Sequence, residues 1–464
     1  MLIRQAEINF SDVLDVRIVD GRVTALGKGL SAQADEEVIE AKGAALLPGL
    51  NDHHIHLFAL AASQASLTCG PPQVNSADQL AEELQVLDKT LSPGEGIRGI
   101  GYHDSVAGEI DRDWLDRQVS QRPVRIQHRS GRLWILNSCA LELVQTGAED
   151  PLQRDADRCT GRLYDADAWL RSRLGGLRPN LQRLSRQLAS YGVTGLTDTS
   201  HNNGPEVHRH FSKLHQRGEL LQKLQVMGDA SLDTLASGGA VWRGAHKFHL
   251  HENELPDFEV LCTAIRRSHE AGRAVAFHCV TRTELVFALA ALEQAGVRPG
   301  DRIEHAAVTP PELLTRIAEL GLTVVTQPNF ISERGDQYLR DVAADDQPWL
   351  YRLRGFLEAG IPLAGSTDAP FGDSNPWRSM QAAVTRCSST GAAVGLDEAL
   401  TPEQALDLFL SPLSNPGADA TRIEIGMPAD LCLLGLPWAK ARGNLAEVLP
   451  AVTMINGNII KTIY

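Results

Sequence analysis

PGLNDHHIHL, residues 48–57, places three histidines within four positions directly behind an apolar run and a Pro-Gly step. The preceding AALLPGL reads as a short buried strand, and in extended backbone residues two apart face the same side. His54 and His56 are therefore expected to point together, with His53 and Ile55 pointing away. Two neutral imidazoles projected from a strand end make half of a metal site. Polar residues that merely cap a strand are the alternative, and ligands elsewhere in the chain decide between the two.

The bulk of the chain narrows the field. Its 464 residues exceed the usual single core, which predicts a large barrel with appended pieces or two to three domains. A hydrophobic content of 43% fits a globular protein, and a formal charge of -14 argues against nucleic acid or an anionic membrane surface as partner. MLIRQAEINF lacks the apolar core of a secretory signal, and no stretch approaches the length of a membrane span, so the cytoplasm is the default location. Seven scattered cysteines without a Cys-x-x-Cys pair read as reduced thiols rather than a disulfide frame or zinc ribbon. A homodimer is the default assembly.

Organisation along the chain follows the hydrophobic period. In VLDVRIVDGRVTALG apolar and polar positions alternate about Asp20-Gly21, a hairpin signal. The end of the chain repeats the manner in ADLCLLGL and in AVTMINGNIIKTIY, interrupted by Asn456-Gly457. Between these β pieces, GVTGLTDTS, LLQKLQVMG, AHKFHLH, RAVAFHCV, DRIEHAAV, LTVVTQP and IPLAGSTDAP alternate with helical stretches. Strand and helix in alternation predict parallel strands. About eight such units predict a closed α/β barrel with its active site at the strands' C-terminal ends, an open doubly wound sheet being the alternative. Residues 70–165 fit this rhythm poorly and read as an insertion after the first barrel strand. The expected division is 1–48 with 412–464 for the terminal β pieces, 49–69 with 166–411 for the barrel, and 70–165 for an insertion covering the active site.

Other strand ends carry the ligands that His54 and His56 require. His278 ends RAVAFH, His305 ends DRIEH and Asp368 ends IPLAGSTD, each after an apolar run. A lone buried histidine is more often a satisfied core residue, but four histidines and an aspartate recurring at strand ends point jointly to a metal centre. Nitrogen and oxygen donors without thiolate suit zinc, with manganese, iron or nickel as alternatives. Lys247, in GAHKFHLH, is less obvious. Burial and neighbouring cations favour its neutral amine, which can take up carbon dioxide as an anionic carbamate able to bridge two metals. A lysine snorkelling to solvent is the competing reading. His249, His251, Glu252 and Glu254 are competing ligand candidates.

PGLNDHHIHL, Lys247, AFHCV, DRIEHA and GSTDAP, in that order, resemble the metal-dependent amidohydrolase superfamily, most closely the branch containing N-substituted formamide deformylases. RPVRIQHRSGRLWILNSCALEL is similar to that branch's inserted segment, TGRLYDADAWL to its return to the barrel, GVTGLTDTS to a barrel strand and GMPADLCLL to its late β segment. The resemblance implies a (β/α)8 TIM-like barrel flanked by a β-sandwich formed from both termini, with a binuclear centre of two divalent metal ions, zinc being the expected metal. It implies His54, His56 and Asp368 as ligands of one metal, His278 and His305 as ligands of the other, and carboxylated Lys247 as the bridge. One departure stands out: where the branch usually has Gly-His in the insertion, this chain has Gly131-Arg132. The substrate contact expected of that histidine passes to Arg132 or to nearby His128, with Trp134, Trp114 and Trp169 as candidate pocket residues. Arg132 paired with an insertion acid such as Asp155 or Asp157 is the structural alternative.

The implied activity is hydrolysis of an amide, formamide or cyclic amide C–N bond by a metal-bound hydroxide, with Asp368 as ligand and general base. An ester or carbamate would need the same machinery. A deaminase of the same superfamily usually has a glutamate three residues after the strand histidine, whereas His278 is followed by Cys279, Val280 and Thr281. A catalytically inactive metal-binding protein on the same scaffold is the remaining alternative; no member of the ligand set looks lost.

Overall fold

The structure, a computed structural model, describes residues 1–71, 73–92, 94–144, 151–155, 158–173, 179–235 and 238–460. They form two compact units: Met1–Leu57 with Leu181–Tyr464, and Phe58–Asn180.

The first unit is built on eight strands paired in parallel throughout: Leu50–Ile55, Val193–Asp198, Lys223–Gly228, Val241–His249, Val275–Cys279, Arg302–His305, Thr323–Thr326 and Leu363–Gly365. Seven of these coincide with the predicted apolar segments; the eighth, Leu50–Ile55, begins at the end of the predicted run AALLPGL, whose Ala45–Pro48 forms a strand of the sheet shared by the two termini. Strands such as Val193–Asp198, Arg302–His305 and Thr323–Thr326 are buried at every residue, as parallel strands covered on both faces are. The sheet curls so that the backbone beyond the last strand meets the first: Asp368 N–H donates to the His54 carbonyl and His56 N–H to the Ala369 carbonyl, both at 2.9 Å. Asp52 reinforces this seam by accepting from Thr367 Oγ1 at 2.5 Å and Thr367 N–H at 3.1 Å. Seven of the strands lead on to α-helices, such as Arg282–Ala295, whose start is set by a Thr281/Glu284 capping box. Lys223–Gly228 departs from the pattern: the 3-10 turn Ala230–Thr234 follows it in place of an α-helix.

Strands from both ends of the chain share a second sheet of eight, joined where Leu431–Leu434 pairs antiparallel with Ala45–Pro48. Its first strand, Leu2–Ile8, changes partner midway. Leu2–Arg4 run parallel to Val38–Glu40, Glu7 and Ile8 run parallel to Ala45 and Leu46, and the switch coincides with a positive φ at Gln5. Asp20-Gly21 and Asn456-Gly457 both have two left-handed residues in succession, the backbone that a type I′ hairpin turn demands. The core of this sheet is aliphatic, with Ile3, Val16, Leu46, Leu431 and Met454 among its buried residues.

The second unit has a six-stranded mixed sheet in the order Leu152–Asp155, Arg158–Tyr164, Leu133–Leu136, Val124–His128, Ile97–Tyr102, Leu67–Thr68. It extends beyond the expected 70–165 because Leu67–Thr68 pairs with Ile97–Tyr102. Among the described residues no helix is long and apolar enough to cross a membrane.

Candidate metal centre

The barrel strands bring the predicted donors together at their C-terminal ends. His54, His56 and Asp368 each offer a ligand atom within 4.8 Å of the others, with Asp368 Oδ1 at 3.4 Å from His54 Nε2 and 3.2 Å from His56 Nε2. The His54 and His305 rings lie 4.8 Å apart and the His305 and His278 rings 4.5 Å apart. Lys247 belongs to the same cluster: its charge is felt by His54, His278, His305 and Asp368. The snorkelling alternative does not hold, since Lys247 is buried and its Nζ, with Glu304 Oε2 4.0 Å away, has no hydrogen-bond partner.

Hydrogen bonds behind three of the donors engage the Nδ1 of each ring. His54 Nδ1 meets Glu304 Oε2 at 2.5 Å, His56 Nδ1 meets Ser200 Oγ at 3.1 Å and His305 Nδ1 meets Gln327 Oε1 at 2.7 Å. In each ring this leaves Nε2 for a ligand role, the arrangement by which an outer partner orients a metal-binding imidazole. Burial pushes His54, His278 and His305 well down, with neighbouring cationic groups adding to the effect, so they are neutral lone-pair donors near pH 7. Burial also lowers Lys247 to about 8, against the opposing pull of Glu304. Burial raises Asp368, with His56 and Lys247 acting the other way.

Glu304, Gln327, Ser200 and Arg302 were not anticipated from the sequence. Glu304 is fully buried and also holds Arg302 Nε at 2.5 Å. Burial alone would raise its carboxyl, but the charges of Arg302 and Lys247 hold it below its ordinary value. Arg-x-Glu on a barrel strand was the available signal, because alternation turns both residues to one face. His305 breaks that alternation: its φ of +70° is left-handed, so its side chain reaches the site although Glu304, one residue earlier, does too. Asp368 likewise has a φ of +53°. Such backbone is sparsely populated for residues with a Cβ and collects at functional sites.

The remaining candidates separate clearly. His53 turns away as expected, with Nε2 3.1 Å from Ser411 Oγ and its carbonyl accepting from Arg302 Nη2 at 3.0 Å. His249 lies 4.3 Å from the His278 ring and 4.4 Å from that of His251, an accessible pair beside the buried donors. Glu252 is engaged at a helix entrance: its N–H donates to Glu284 and its carboxylate accepts from Thr283. Glu254 is exposed.

In the second unit Arg132 pairs bidentately with Asp165, Nε to Oδ1 at 2.7 Å and Nη2 to Oδ2 at 2.5 Å. Its partner is neither Asp155 nor Asp157, the latter lying outside the described residues. Both side chains are exposed, 73% and 52%, and exposed pairs contribute about 0–1 kcal/mol. Arg132→Leu is therefore expected to change stability by less than ~1 kcal/mol and to leave KM for anionic and neutral substrates alike within twofold or so; a ~10-fold KM rise confined to anionic substrates would instead put the guanidinium against substrate. Trp134 is buried with Leu136, Leu163 and, at the edge, Trp169, while Trp114 packs on a separate cluster, which gives all three a packing role. His128 accepts the Ser130 N–H at Nδ1, and its buried Nε2 makes no hydrogen bond, with Asp104 Oδ2 3.9 Å away.

A barrel hydrolase that works with bound metal is the class defined by this fold and donor set. The chain matches the model of the Amidohydrolase family over residues 37–461 and belongs to that family; it is a metal-dependent hydrolase of carbon–nitrogen bonds. N-substituted formamide deformylase of Arthrobacter pascens is 25% identical, the match covering 98% of this chain and 96% of that protein. Putative amidohydrolase YtcJ of Bacillus subtilis is 23% identical over 96% of this chain and 95% of its own. The crystal structure of an uncharacterized metal-dependent hydrolase from Pyrococcus horikoshii has the same fold, with a TM-score of 0.78 at 21% identity, covering 94% of this chain and 97% of that one.

Proposed function

We propose that the protein hydrolyses an amide, formamide or cyclic amide C–N bond in a small molecule, at a centre suited to two divalent cations. The donor set fits such ions: neutral imidazoles, a carboxylate and no thiolate. Two buried polar atoms of the site, Lys247 Nζ and Asp368 Oδ1, are left without a hydrogen bond. His54, His56 and Asp368 would hold one ion, His278 and His305 the other, and Lys247 as its carbamate would be shared. When bound, zinc or a similar cation brings the pKa of water towards neutrality and polarises a carbonyl oxygen.

Asp368 then has a defined task. Its carboxylate takes a proton from the attacking water as the C–O bond forms, and delivers it to the nitrogen as the C–N bond breaks. Burial that raises this carboxyl suits it to both halves of the exchange. Glu304 holds His54 in one tautomer, and Arg302 in turn holds Glu304. The observation that carries the reading is Asp368 Oδ1 placed against the Nε2 atoms of both His54 and His56 with no hydrogen bond of its own.

Ring deamination is less well supported. The first carboxylate after His278 is Glu284, and it is occupied by Val280 N–H at 2.8 Å, Thr281 N–H at 3.1 Å and Glu252 N–H at 3.0 Å. A hydrolysis screen of the zinc-reconstituted enzyme over N-formyl, N-acyl, cyclic imide and lactone compounds, with ammonia read in parallel, tests the assignment. Turnover is expected among the N-formyl or N-acyl amides or the cyclic imides. Ammonia release from aromatic amines without acyl hydrolysis would replace it with deamination, and no turnover at full metal content would favour the inactive metal-binding reading.

A further inference from the structure

A cavity of about 270 Å³ opens at the end of the barrel opposite the metal donors, where the strands begin. Four arginines line it, Arg243, Arg273, Arg298 and Arg302, together with Thr323 and Asn415, and no carboxylate does. Two of the four are committed to the fold. Arg273 donates to the carbonyls of Gly228, Asp229, Gly244 and Ala245 and to Asp233, and Arg302 is paired with Glu304. Arg243 and Arg298 are different. Each makes a single side-chain hydrogen bond, Arg243 Nη1 to the Asp233 carbonyl at 2.9 Å and Arg298 Nη1 to the His269 carbonyl at 3.0 Å, and neither has an ion-pair partner among the described residues. The buried Arg302 also keeps Nη1 without a hydrogen bond among the described residues, beside the same cavity.

Guanidinium groups gathered in one cavity repel one another: burial disfavours the charged form of Arg273 and nearby Arg243 adds to this, while Asp233, paired with Arg273, opposes it. That cost is offset when an anion is shared between them, and the planar fork of arginine matches the oxygens of phosphate or carboxylate. The usual reason for charged residues at the N-terminal face of such a barrel is stability. It accounts for Arg273 and Arg302 but leaves the open donors of Arg243 and Arg298 unexplained.

We propose that the N-terminal mouth of the barrel is a binding site for a phosphate-type oxyanion, free or as the end group of a small metabolite, held by Arg243 and Arg298 with Arg302 at its floor. The site is separate from the hydrolytic centre and does not rest on the substrate assigned above. Arg302 nevertheless connects them, since its Nε bonds Glu304 and Glu304 bonds His54.

Isothermal titration of the full-length holoenzyme with inorganic phosphate, against chloride at matched ionic strength, tests this. One phosphate per chain is expected, with affinity falling at least ~10-fold in Arg243→Gln/Arg298→Gln. Both residues lie away from the metal donors, so an anion held at the metals would keep its affinity in that variant. Retained circular dichroism and hydrolytic turnover of the variant show that it is folded. A parallel titration with glycerol 3-phosphate distinguishes the sources: tighter binding than phosphate assigns an organic phosphate, equal binding the free ion. Absence of saturable binding of both probes by the wild type, or unchanged affinity in the double variant, would overturn the proposal.

Discussion

Lys247→Ala is expected to bind less metal than the wild type, by more than the ~10–100-fold in affinity that removal of a group behind a ligand costs, and to lose hydrolytic activity with it. The expectation rests on where the amine sits. Lys247 is 6% exposed on the strand Val241–His249, and its Nζ has no hydrogen-bond partner. An ammonium in that position is desolvated, and it would be repelled by the metal cations the site would hold. As a carbamate the same side chain becomes an anionic oxygen donor, which removes the conflict. Metal content by elemental analysis, with native mass spectrometry for the carbon dioxide adduct, checks both halves. Short carboxylates supplied in solution should restore part of the metal and part of the activity. A full complement of metal in Lys247→Ala, or an unmodified lysine in the active wild type, would leave the centre without its bridge.

Asp368→Asn should retain the fold and much of the metal while kcat falls by at least ~100-fold, the scale of removing a general acid/base. The amide keeps the size of the side chain and its placement at the barrel seam, where the Asp368 N–H bonds the His54 carbonyl, but it cannot take up and return a proton. The loss should therefore fall on kcat, with KM changed little, because proton transfer belongs to the transition state more than to binding. Steady-state kinetics on metal-replete protein separate this from simple metal loss. Near-normal kcat would move the base elsewhere, and the accessible His249 and His251 pair beside His278 would be the first place to look.

Sequence by itself determined the repeating architecture and nominated the candidate donors. Apolar runs bounded by turn residues marked seven of the eight barrel strands, because a parallel strand buried on both faces is mostly apolar; Leu50–Ile55, rich in site residues, began only at the end of its run. Asp20-Gly21 and Asn456-Gly457 specified their hairpins locally, since few other pairs tolerate two left-handed residues. His54, His56, Lys247, His278, His305 and Asp368 were legible because each is a polar residue at or near the end of an apolar run, where burial would otherwise be unfavourable. The order of those segments also carried the family, which the match over residues 37–461 bears out.

Only the tertiary structure decided what those donors touch. Closure of the barrel brings Asp368 against His54 and His56 through backbone bonds between segments far apart in sequence, and no local pattern encodes that seam. Glu304 reaches His54 across 250 positions, and its neighbour His305 enters the same site only because a left-handed residue ends the strand's two-residue alternation. Period-two reasoning holds while the backbone stays extended and fails at such a residue. Residues 70–165 were opaque for a related reason: their short strands, some parallel and some antiparallel, share no single hydrophobic period. Pairing with partners elsewhere in the unit fixes them, as burial among such partners fixes Trp134 and an ion pair with Asp165 engages Arg132.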